Sequence, residues 1–194
     1  MKQHIYIALL ISFWFCACKE ARIVESITVN VDQLYTVELP NNLRPGFDMH
    51  DYASLQHYDT STDFYVIGIE DAKSNLGEIK RKRLKLRGYY NFVENTVFSR
   101  ADSIQLIAEQ SFKTAEGIKT RIGDYYVNSR YWGAPYDLFY RIAVYESKEY
   151  FFQIVTWMPF DLYCERYDWI ELISYSFKLV EKREEPPLSR AGVK

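Results

Sequence analysis

Cysteine and histidine, which build redox sites and many metal sites, are scarce in this sequence. Only three cysteines and three histidines occur among 194 residues. Cys16 and Cys18 end an apolar N-terminal segment, so Cys164 stands alone in the rest of the chain and can form no intramolecular disulfide there. A catalytic thiol would need a base close by, and no motif connects Cys164 with a histidine. We therefore expect Cys164 to be a small buried residue.

Histidine and carboxylate groups come together in the sequence at one place. Asp48, His50 and Asp51 are followed by His57 and Asp59. Such groups can bind a divalent metal or transfer protons, but their spacing matches no known ligand frame and Asp is common in turns. The sequence also has no glycine-rich phosphate loop and no nucleophile elbow. We therefore predict no catalytic residue, no metal, no cofactor and no enzymatic activity.

Long apolar runs are absent except at the N-terminus, where Lys2 precedes an apolar run over residues 5–17. This run has the length of a signal-peptide core and is too short to span a bilayer, which takes about 20 apolar residues. It ends in Ala17-Cys18, which resembles a bacterial lipobox, although Phe15 stands where most lipoboxes have Leu. The resemblance implies cleavage before Cys18 and acyl chains on Cys18 that anchor the protein to a membrane. Ordinary secretory cleavage is the alternative.

The lipobox divides the chain into four segments. Residues 1–17 are predicted to be a lipoprotein signal peptide, 18–30 a lipidated N-terminus and short tether, 31–181 a single folded domain and 182–194 a disordered tail. The tail has mixed charge and almost no apolar residues. The formal net charge of −2 neither requires nor excludes a polyanionic partner.

The residues after the lipobox bear on where the protein resides. Lys19-Glu20 resembles, incompletely, the signal that sends some Bacteroidota lipoproteins to the cell surface. This resemblance implies a lipoprotein of the bacterial cell envelope, in the outer membrane, either periplasmic or surface-exposed. Asp102-Ser103-Ile104 fits the short O-glycosylation pattern of the same phylum, although a pattern of three residues also recurs by chance.

Hydrophobic periodicity predicts mainly strands in the folded domain. Alternating or β-branched stretches are typical of strands, and they occur at residues 35–40, 53–58, 64–69, 121–128, 136–146, 150–157 and 176–180. Strands are also favoured over a helix in residues 101–120, and residues 129–135 are predicted to be a loop.

Two helices complete the predicted fold. One long helix is indicated by apolar residues spaced along a single stripe from Ile79 to Val97, and a second helix is indicated at residues 160–172. Antiparallel strands with helices on their faces indicate an α+β fold. The side chains expected in its core are Phe64, Val66, Ile79, Leu86, Val144, Ile154, Trp157 and Phe177.

The order of these motifs resembles a known family. Its elements are Tyr35-x-Val37-x-Leu39-Pro40, the hairpin of residues 55–58 with 64–69, the helix after it, Trp157-x-Pro159, and a helix leading to Ser176-Phe177. They are similar to the PsbP-like family, whose fold is shared by the photosystem II extrinsic protein and the yeast Ran-binding nuclear import factor. The resemblance implies an α/β/α sandwich around a central antiparallel sheet. It also implies a non-catalytic docking or assembly module, with no active-site residues to carry over.

A dense group of cations is the most unusual local feature. It consists of Lys80, Arg81, Lys82, Arg83, Lys85 and Arg87. On one helix these charges repel one another, so they form either a solvated outer face or an anion-binding face. On an exported, anchored protein the anion would be phosphate-bearing lipid or an acidic glycan. Nucleic acid is not expected, since export separates the protein from it and no aromatic residues interleave with these cations.

The predicted loop at residues 129–135 displays two aromatic residues. Tyr131 and Trp132 could stack on sugar rings, or they could fold back onto the sheet, as such residues commonly do. Two functions therefore remain open. The favoured one is a membrane-anchored, non-enzymatic binding or assembly module whose partner is another envelope protein. The alternative is a lipoprotein that binds a glycan or an anionic lipid.

Overall fold

The computed structural model describes residues 23–80, 84–131 and 134–180. The strands are β1 (Ser26–Val31), β2 (Tyr35–Pro40), β3 (Arg44–Pro45), β4 (Leu55–Asp59), β5 (Phe64–Ala72), β6 (Ser103–Lys113), β7 (Lys119–Tyr131), β8 (Ala134–Glu146), β9 (Tyr150–Pro159) and β10 (Lys178–Leu179). The helices are α1 (Lys73–Lys80), α2 (Leu86–Val97) and α3 (Tyr163–Tyr175), the last preceded by a short 3-10 turn at Phe160–Leu162.

The strands form two antiparallel sheets. The large sheet has the order β3-β4-β5-β9-β8-β7-β6, and the small sheet has the order β1-β2-β10. β1 pairs with β2 from Ser26↔Pro40 to Val31↔Tyr35. The folded domain therefore extends into the segment that was expected to be a tether. β1 is mostly exposed, so backbone pairing holds most of it, and only Val31, with Val29 beside it, packs into the core.

A layer of other elements covers each face of the large sheet. On one face, the α3 face, helix α3 and the small sheet pack over strand residues such as Phe139, Ile154 and Met158. On the other, the α2 face, helices α1 and α2 pack over residues such as Ile142 and Val144. The two faces bury different side chains because successive residues of a strand point to opposite sides. The α/β/α sandwich expected from the family resemblance is confirmed.

A group of stacked aromatic rings lies in the core of the α3 face. Phe177 is 2% exposed and stacks on Tyr145 with ring centroids 3.9 Å apart, while Tyr35 and Phe152 lie at 5.2 and 5.3 Å. Burial is confirmed for five of the predicted core residues, Phe64, Val66, Val144, Ile154 and Phe177. Leu86 is only partly buried, and the side chain of Ile79 lies outside the described residues.

The prediction of one long helix after β5 was wrong. α1 ends at Lys80 and α2 begins at Leu86, with Lys85 in extended backbone at φ −101° and ψ 165°. An extended residue interrupts the i to i−4 hydrogen-bond ladder, so the apolar stripe belongs to two helices. Within the described residues, no helix combines the length and the apolar character that crossing a bilayer requires.

The predicted loop at residues 129–135 was also wrong. β7 and β8 remain paired with each other past the points where their pairing with β6 and β9 ends, from Ser129↔Tyr136 to Tyr131↔Ala134. Only two residues separate the strands at that point, which is the commonest length for a hairpin connection. The polar and proline residues of this stretch resemble a loop, but backbone pairing extends the strands through them.

Candidate functional site

An open groove on the α2 face is the most distinctive concave surface in the described part of the chain. It has a volume of about 620 Å³. Its floor is formed by β5, β9 and β8, one wall by α1 and α2, and the other wall by the loop between β3 and β4. The lining residues used below are Tyr52, Asp71, Phe92, Tyr140, Gln153 and Trp157.

A row of aromatic side chains crosses three strands, and two of them, Tyr140 and Trp157, line the floor of the groove. Trp157 of β9 lies opposite Tyr65 of β5 and Tyr140 of β8 in the backbone register. The indole is nearly parallel to both rings, with centroids 5.2 Å from Tyr65 and 6.0 Å from Tyr140. Cross-strand aromatic pairs of this kind stabilise a sheet. They also fix the rotamer of Trp157 at the point where the floor is open.

Trp157 is only partly buried, so the prediction that it belongs to the closed core was wrong. The physical reason is the position of α2. The aromatic side chains of α2 pack on β7 and on the start of β9. Tyr89 stacks on Phe151 at 4.4 Å, and Phe98, just after the helix, lies against Tyr125 at 4.8 Å. This placement covers β7, β8 and the start of β9, and it leaves the strip above β5 and the end of β9 uncovered.

A glycine allows α2 to approach β7 closely. A Cβ added to Gly123 would lie 1.9 Å from the hydroxyl of Tyr90 and 2.9 Å from the ring of Tyr125. The two tyrosine hydroxyls are 2.7 Å apart, and that of Tyr125 donates to Glu94 at 3.0 Å. Burial first, and then these hydrogen bonds, raise the pKa of Tyr125, so the pair remains protonated and holds α2 in place.

The loop that forms the second wall is held by one glutamine. The side-chain oxygen of Gln56 accepts hydrogen bonds from the backbone nitrogens of Met49 and His50 at 2.9 and 3.1 Å. Its amide nitrogen donates to the carbonyls of His50 and Ala53 at 3.1 and 3.0 Å. All four contacts fix the backbone of the loop, so Tyr52 is presented at the rim with 81% of its surface exposed.

Polar groups lie at one end of the groove. Asp71 accepts a hydrogen bond from the hydroxyl of Tyr89, and burial followed by that hydrogen bond raises the pKa of Tyr89. Asp71 pairs with Phe151, whereas Trp157 pairs with Tyr65, six residues further along β9. At about 3.3 Å per residue, the polar and aromatic ends are roughly 20 Å apart.

This combination is typical of a binding site. Ligand sites are concave, about 300–1,000 Å³ in volume, mostly apolar, and carry a few polar groups that orient the ligand. Aromatic side chains that are rigid and half-buried are common anchors for partners. The groove meets each of these conditions. Among the described residues, no group of three or more His, Cys, Asp or Glu side chains could hold a metal ion.

Among the residues that the structure describes, the most buried charges lie on the opposite face of the sheet. Arg141 is 1% exposed and makes a bidentate contact with Asp124 at 2.6 and 2.8 Å. It also donates to Glu171 of α3 at 2.6 Å and lies over the ring of Tyr167. Burial alone would lower the pKa of Arg141, but the two carboxylates outweigh it and raise that pKa. The cluster is fully paired and joins α3 to the sheet.

The predicted basic group is only partly within the described residues. Lys85 and Arg87 are exposed at the start of α2. They line a second cavity, of about 490 Å³, together with Lys119 and Glu146. Lys80 ends α1, but its side chain and the whole of Arg81, Lys82 and Arg83 lie outside the described residues.

Three further predicted positions also lie outside what the structure describes. Tyr131 ends β7, but its side chain is not described, nor is any part of Trp132 or Cys18. The prediction for Cys164 was wrong, because this free cysteine is exposed in the first turn of α3.

The histidine and carboxylate group is divided by the sheet. His57 pairs with Val66 and is buried on the α3 face, where desolvation lowers its pKa. His50 lies at the groove on the α2 face. Asp59 is held by its own turn, through Ser61 at 2.6 Å.

Comparison with known proteins supports the fold and goes no further. No family model and no curated protein sequence matches the chain. The solution structure of cyanobacterial PsbP from Synechocystis sp. PCC 6803 matches with a TM-score of 0.53 at 11% identity, over 84% of this chain and 97% of that one. A mutant of the protein Mog1 matches with a TM-score of 0.55 at 10% identity, over 82% and 98%.

The chain has a PsbP/Mog1-like fold. LpqN, described as involved in cell envelope biogenesis of Mycobacterium tuberculosis, has a similar structure, with a TM-score of 0.50 at 10% identity over 82% of this chain and 93% of that one. At identities this low, the structural likeness establishes a shared PsbP/Mog1-like architecture alone. It does not transfer a function, because function depends on sites that vary within a fold.

The groove residues were not identified as a site from the sequence. Those that belong to strands lie in stretches whose apolar alternation predicts ordinary core residues. The only signal was that Tyr140 and Trp157 are large rings with a polar atom, which favour half-buried positions. Recognising a groove requires knowing where α2 lies, and that depends on contacts distant in sequence.

Proposed function

We propose that this protein is a lipid-anchored, non-enzymatic module of the bacterial cell envelope that binds an apolar segment of another envelope protein in the groove. The observation that carries the proposal is the open floor around Trp157. Two further points support it. The N-terminal segment resembles a lipoprotein signal, and LpqN, which has a similar structure, is described as involved in cell envelope biogenesis.

The shape and lining of the groove favour a protein segment. A length of roughly 20 Å accommodates about six extended residues or nearly four turns of helix. An apolar face of such a segment would cover Phe92 and Trp157, which otherwise remain in contact with water. Asp71 and Gln153 offer a carboxylate and an amide to polar groups at one end. Recognition of an apolar face within a groove is a common mode of peptide binding.

A pair of residues in one loop allows a controlled test. Tyr52 and Phe47 are 81% and 83% exposed, but only Tyr52 lines the groove. A photoreactive amino acid replaces each of them in turn in the full chain, in the bacterium that produces it. We expect light to attach one defined envelope protein to residue 52 and little to residue 47, with the attachment site in an apolar segment. Equal attachment at both positions, or attachment to lipid, would contradict the proposal.

The anchor is tested separately with the full chain. Acylated Cys18 should hold the protein in the membrane fraction. The variant Cys18→Ser should appear in the soluble fraction, and mass spectrometry of the native protein should find the acyl chains on Cys18. Native protein that retains residues 1–17 would refute the anchor but leave the groove proposal standing.

A second candidate function is binding of an anionic lipid or glycan by the basic group. The observation in its favour is that Lys85, Arg87 and Lys119 line one cavity at the start of α2. Each cation close to an anionic membrane contributes about 1 kcal/mol, so reversing all three to Glu should weaken vesicle binding by at least roughly a hundredfold. Phosphatidylglycerol vesicles and an acidic polysaccharide serve as separate probes. Binding that is insensitive to salt would contradict this candidate.

A further inference from the structure

The outer edge of the large sheet is exposed over its whole length. β6 forms that edge and pairs only with β7 among the described strands. Ten of its eleven residues are exposed, and they include Ile104 at 47%, Leu106 at 49% and Ile107 at 42%. Soluble proteins usually protect a long apolar edge, because its unpaired backbone groups can bind another strand.

A bulge divides β6 into two halves, and the alternation of side chains between the two sheet faces is offset by one residue from one half to the other. Leu106 lies opposite Tyr125, which belongs to the α2 face, whereas Ala108 lies opposite Asp124, which belongs to the α3 face. The register therefore shifts by one residue at Ile107. As a result Gln105 and Gln110 lie on the same face, opposite Tyr126 and Ile122.

This arrangement makes β6 complementary to itself. Two copies of β6 can be placed antiparallel so that Gln105 of one copy lies opposite Gln110 of the other. In that register, each residue lies opposite a residue whose side chain is on the same face of the sheet. The same register sets Asp102 opposite Lys113 and Leu106 opposite Glu109, and symmetry repeats each pair. It therefore creates two contacts between opposite charges and two between side-chain amides, and no two like charges face each other.

We infer that β6 is the dimerisation strand of this protein and that its partner is a second copy, paired antiparallel in this register. The two large sheets join into one continuous sheet. The contact covers Ile104, Leu106 and Ile107 and supplies hydrogen bonds to the exposed edge. Because the symmetry axis is perpendicular to the sheet, the α3 faces of both copies lie on the same side.

This geometry agrees with the proposed anchor. β1, and with it the N-terminal end of the described chain, belongs to the small sheet on the α3 face. Both anchors of the dimer therefore leave from one side, and the two grooves open on the other side, away from the membrane. This orientation depends on the proposed function, whereas the dimer itself does not.

The test uses the chain from residue 19 onward, which keeps every described residue and carries no acyl chain. Cys164→Ser is included so that oxidation of the exposed thiol cannot join two copies. Analytical ultracentrifugation should find a species of twice the chain mass. Leu106→Asp should weaken dimerisation by at least about tenfold, because it sets a carboxylate opposite Glu109 in both halves of the seam.

The register is tested by exchanging charges. Lys113→Asp should weaken dimerisation by roughly tenfold, because it sets two carboxylates opposite each other in both halves of the seam. The double variant Asp102→Lys with Lys113→Asp restores opposite charges and should recover the affinity. Lys148→Asp, an exposed cation away from β6, is the control and should have no effect.

Other outcomes overturn the inference. A chain that remains monomeric up to millimolar concentration has no such interface. A dimer that tolerates Leu106→Asp uses another surface, and a mass that grows without limit indicates open edge aggregation. Failure of the charge exchange to restore dimerisation rejects the register. Thermal melting of each variant confirms that the fold is intact, and none of these outcomes bears on the groove.

Discussion

Truncating two aromatic residues distinguishes a closed core from an open groove. Phe177 is 2% exposed and is enclosed by Tyr35, Tyr145 and Phe152. Replacing it with alanine leaves a cavity that cannot collapse between stacked rings, so Phe177→Ala should lower the free energy of unfolding by about 3–5 kcal/mol. That is a large part of the total stability of a typical domain.

Trp157→Ala should be much less destabilising, although the side chain removed is larger. The indole lies on the floor of a groove that is already open, so its removal creates no closed cavity. What is lost is mainly its contact with Tyr65 and Tyr140, and aromatic pairs of this kind contribute about 0.5–1.5 kcal/mol each. Since the indole is partly hydrated, we expect a loss of roughly 1–2 kcal/mol.

The assay is equilibrium unfolding in urea, followed by circular dichroism, with unchanged m-values as the sign that only stability has altered. Phe47→Ala, at a position 83% exposed, is the control and should unfold like the parent. If Trp157→Ala is as destabilising as Phe177→Ala, the indole belongs to a closed core. The groove, and the reasoning built on it, would then be refuted.

Three further predictions concern the elements that hold the two faces. Arg141→Met should reduce the free energy of unfolding by about 3–5 kcal/mol, because it leaves the carboxylate of Asp124 buried without a partner; urea unfolding measures this, and the double variant with Asp124→Leu should recover most of the loss. Gly123→Ala should destabilise the fold by more than about 1 kcal/mol, since its Cβ collides with the hydroxyl of Tyr90, and adding Tyr90→Phe should restore part of the melting temperature. Burial raises the pKa of Tyr140 to about 12 from its ordinary value of 10.0, so its neutral form stabilises the fold fully below pH 10 and that contribution should be lost between about pH 10 and 12. A Tyr140→Phe variant should lose less stability over the same range.

The strands could be predicted from the sequence because their alternation is a local property. Residues 64–69 and 150–157 alternate between two buried faces, and β-branched and aromatic residues favour a pleated surface. The resemblance to PsbP-like proteins added the order of the elements, which periodicity alone does not provide. Both predictions concern short stretches of chain or the order in which they follow one another. Neither requires knowledge of which helix covers which strand.

The remaining features depend on contacts between distant residues. Trp157 has the neighbours of a core residue in sequence, and only the position of α2 exposes it. Lys85 lies in a stretch with a helical stripe, but its extended backbone divides α1 from α2. β1 is mostly exposed and is recognised mainly by its pairing with β2. The groove could not be predicted because it is the space that these long-range placements leave.

One measurement tests the central claim most directly. The photoreactive residue at position 52 is placed in the full chain in two backgrounds, one with Trp157 and one with Trp157→Ala, and attachment of the envelope partner is compared. If the groove is the binding site, loss of the indole should reduce the attached product at least about tenfold, because a central aromatic anchor contributes about 2 kcal/mol or more, while protein level and melting show that the chain remains folded. Attachment that is unchanged without Trp157 would contradict the account.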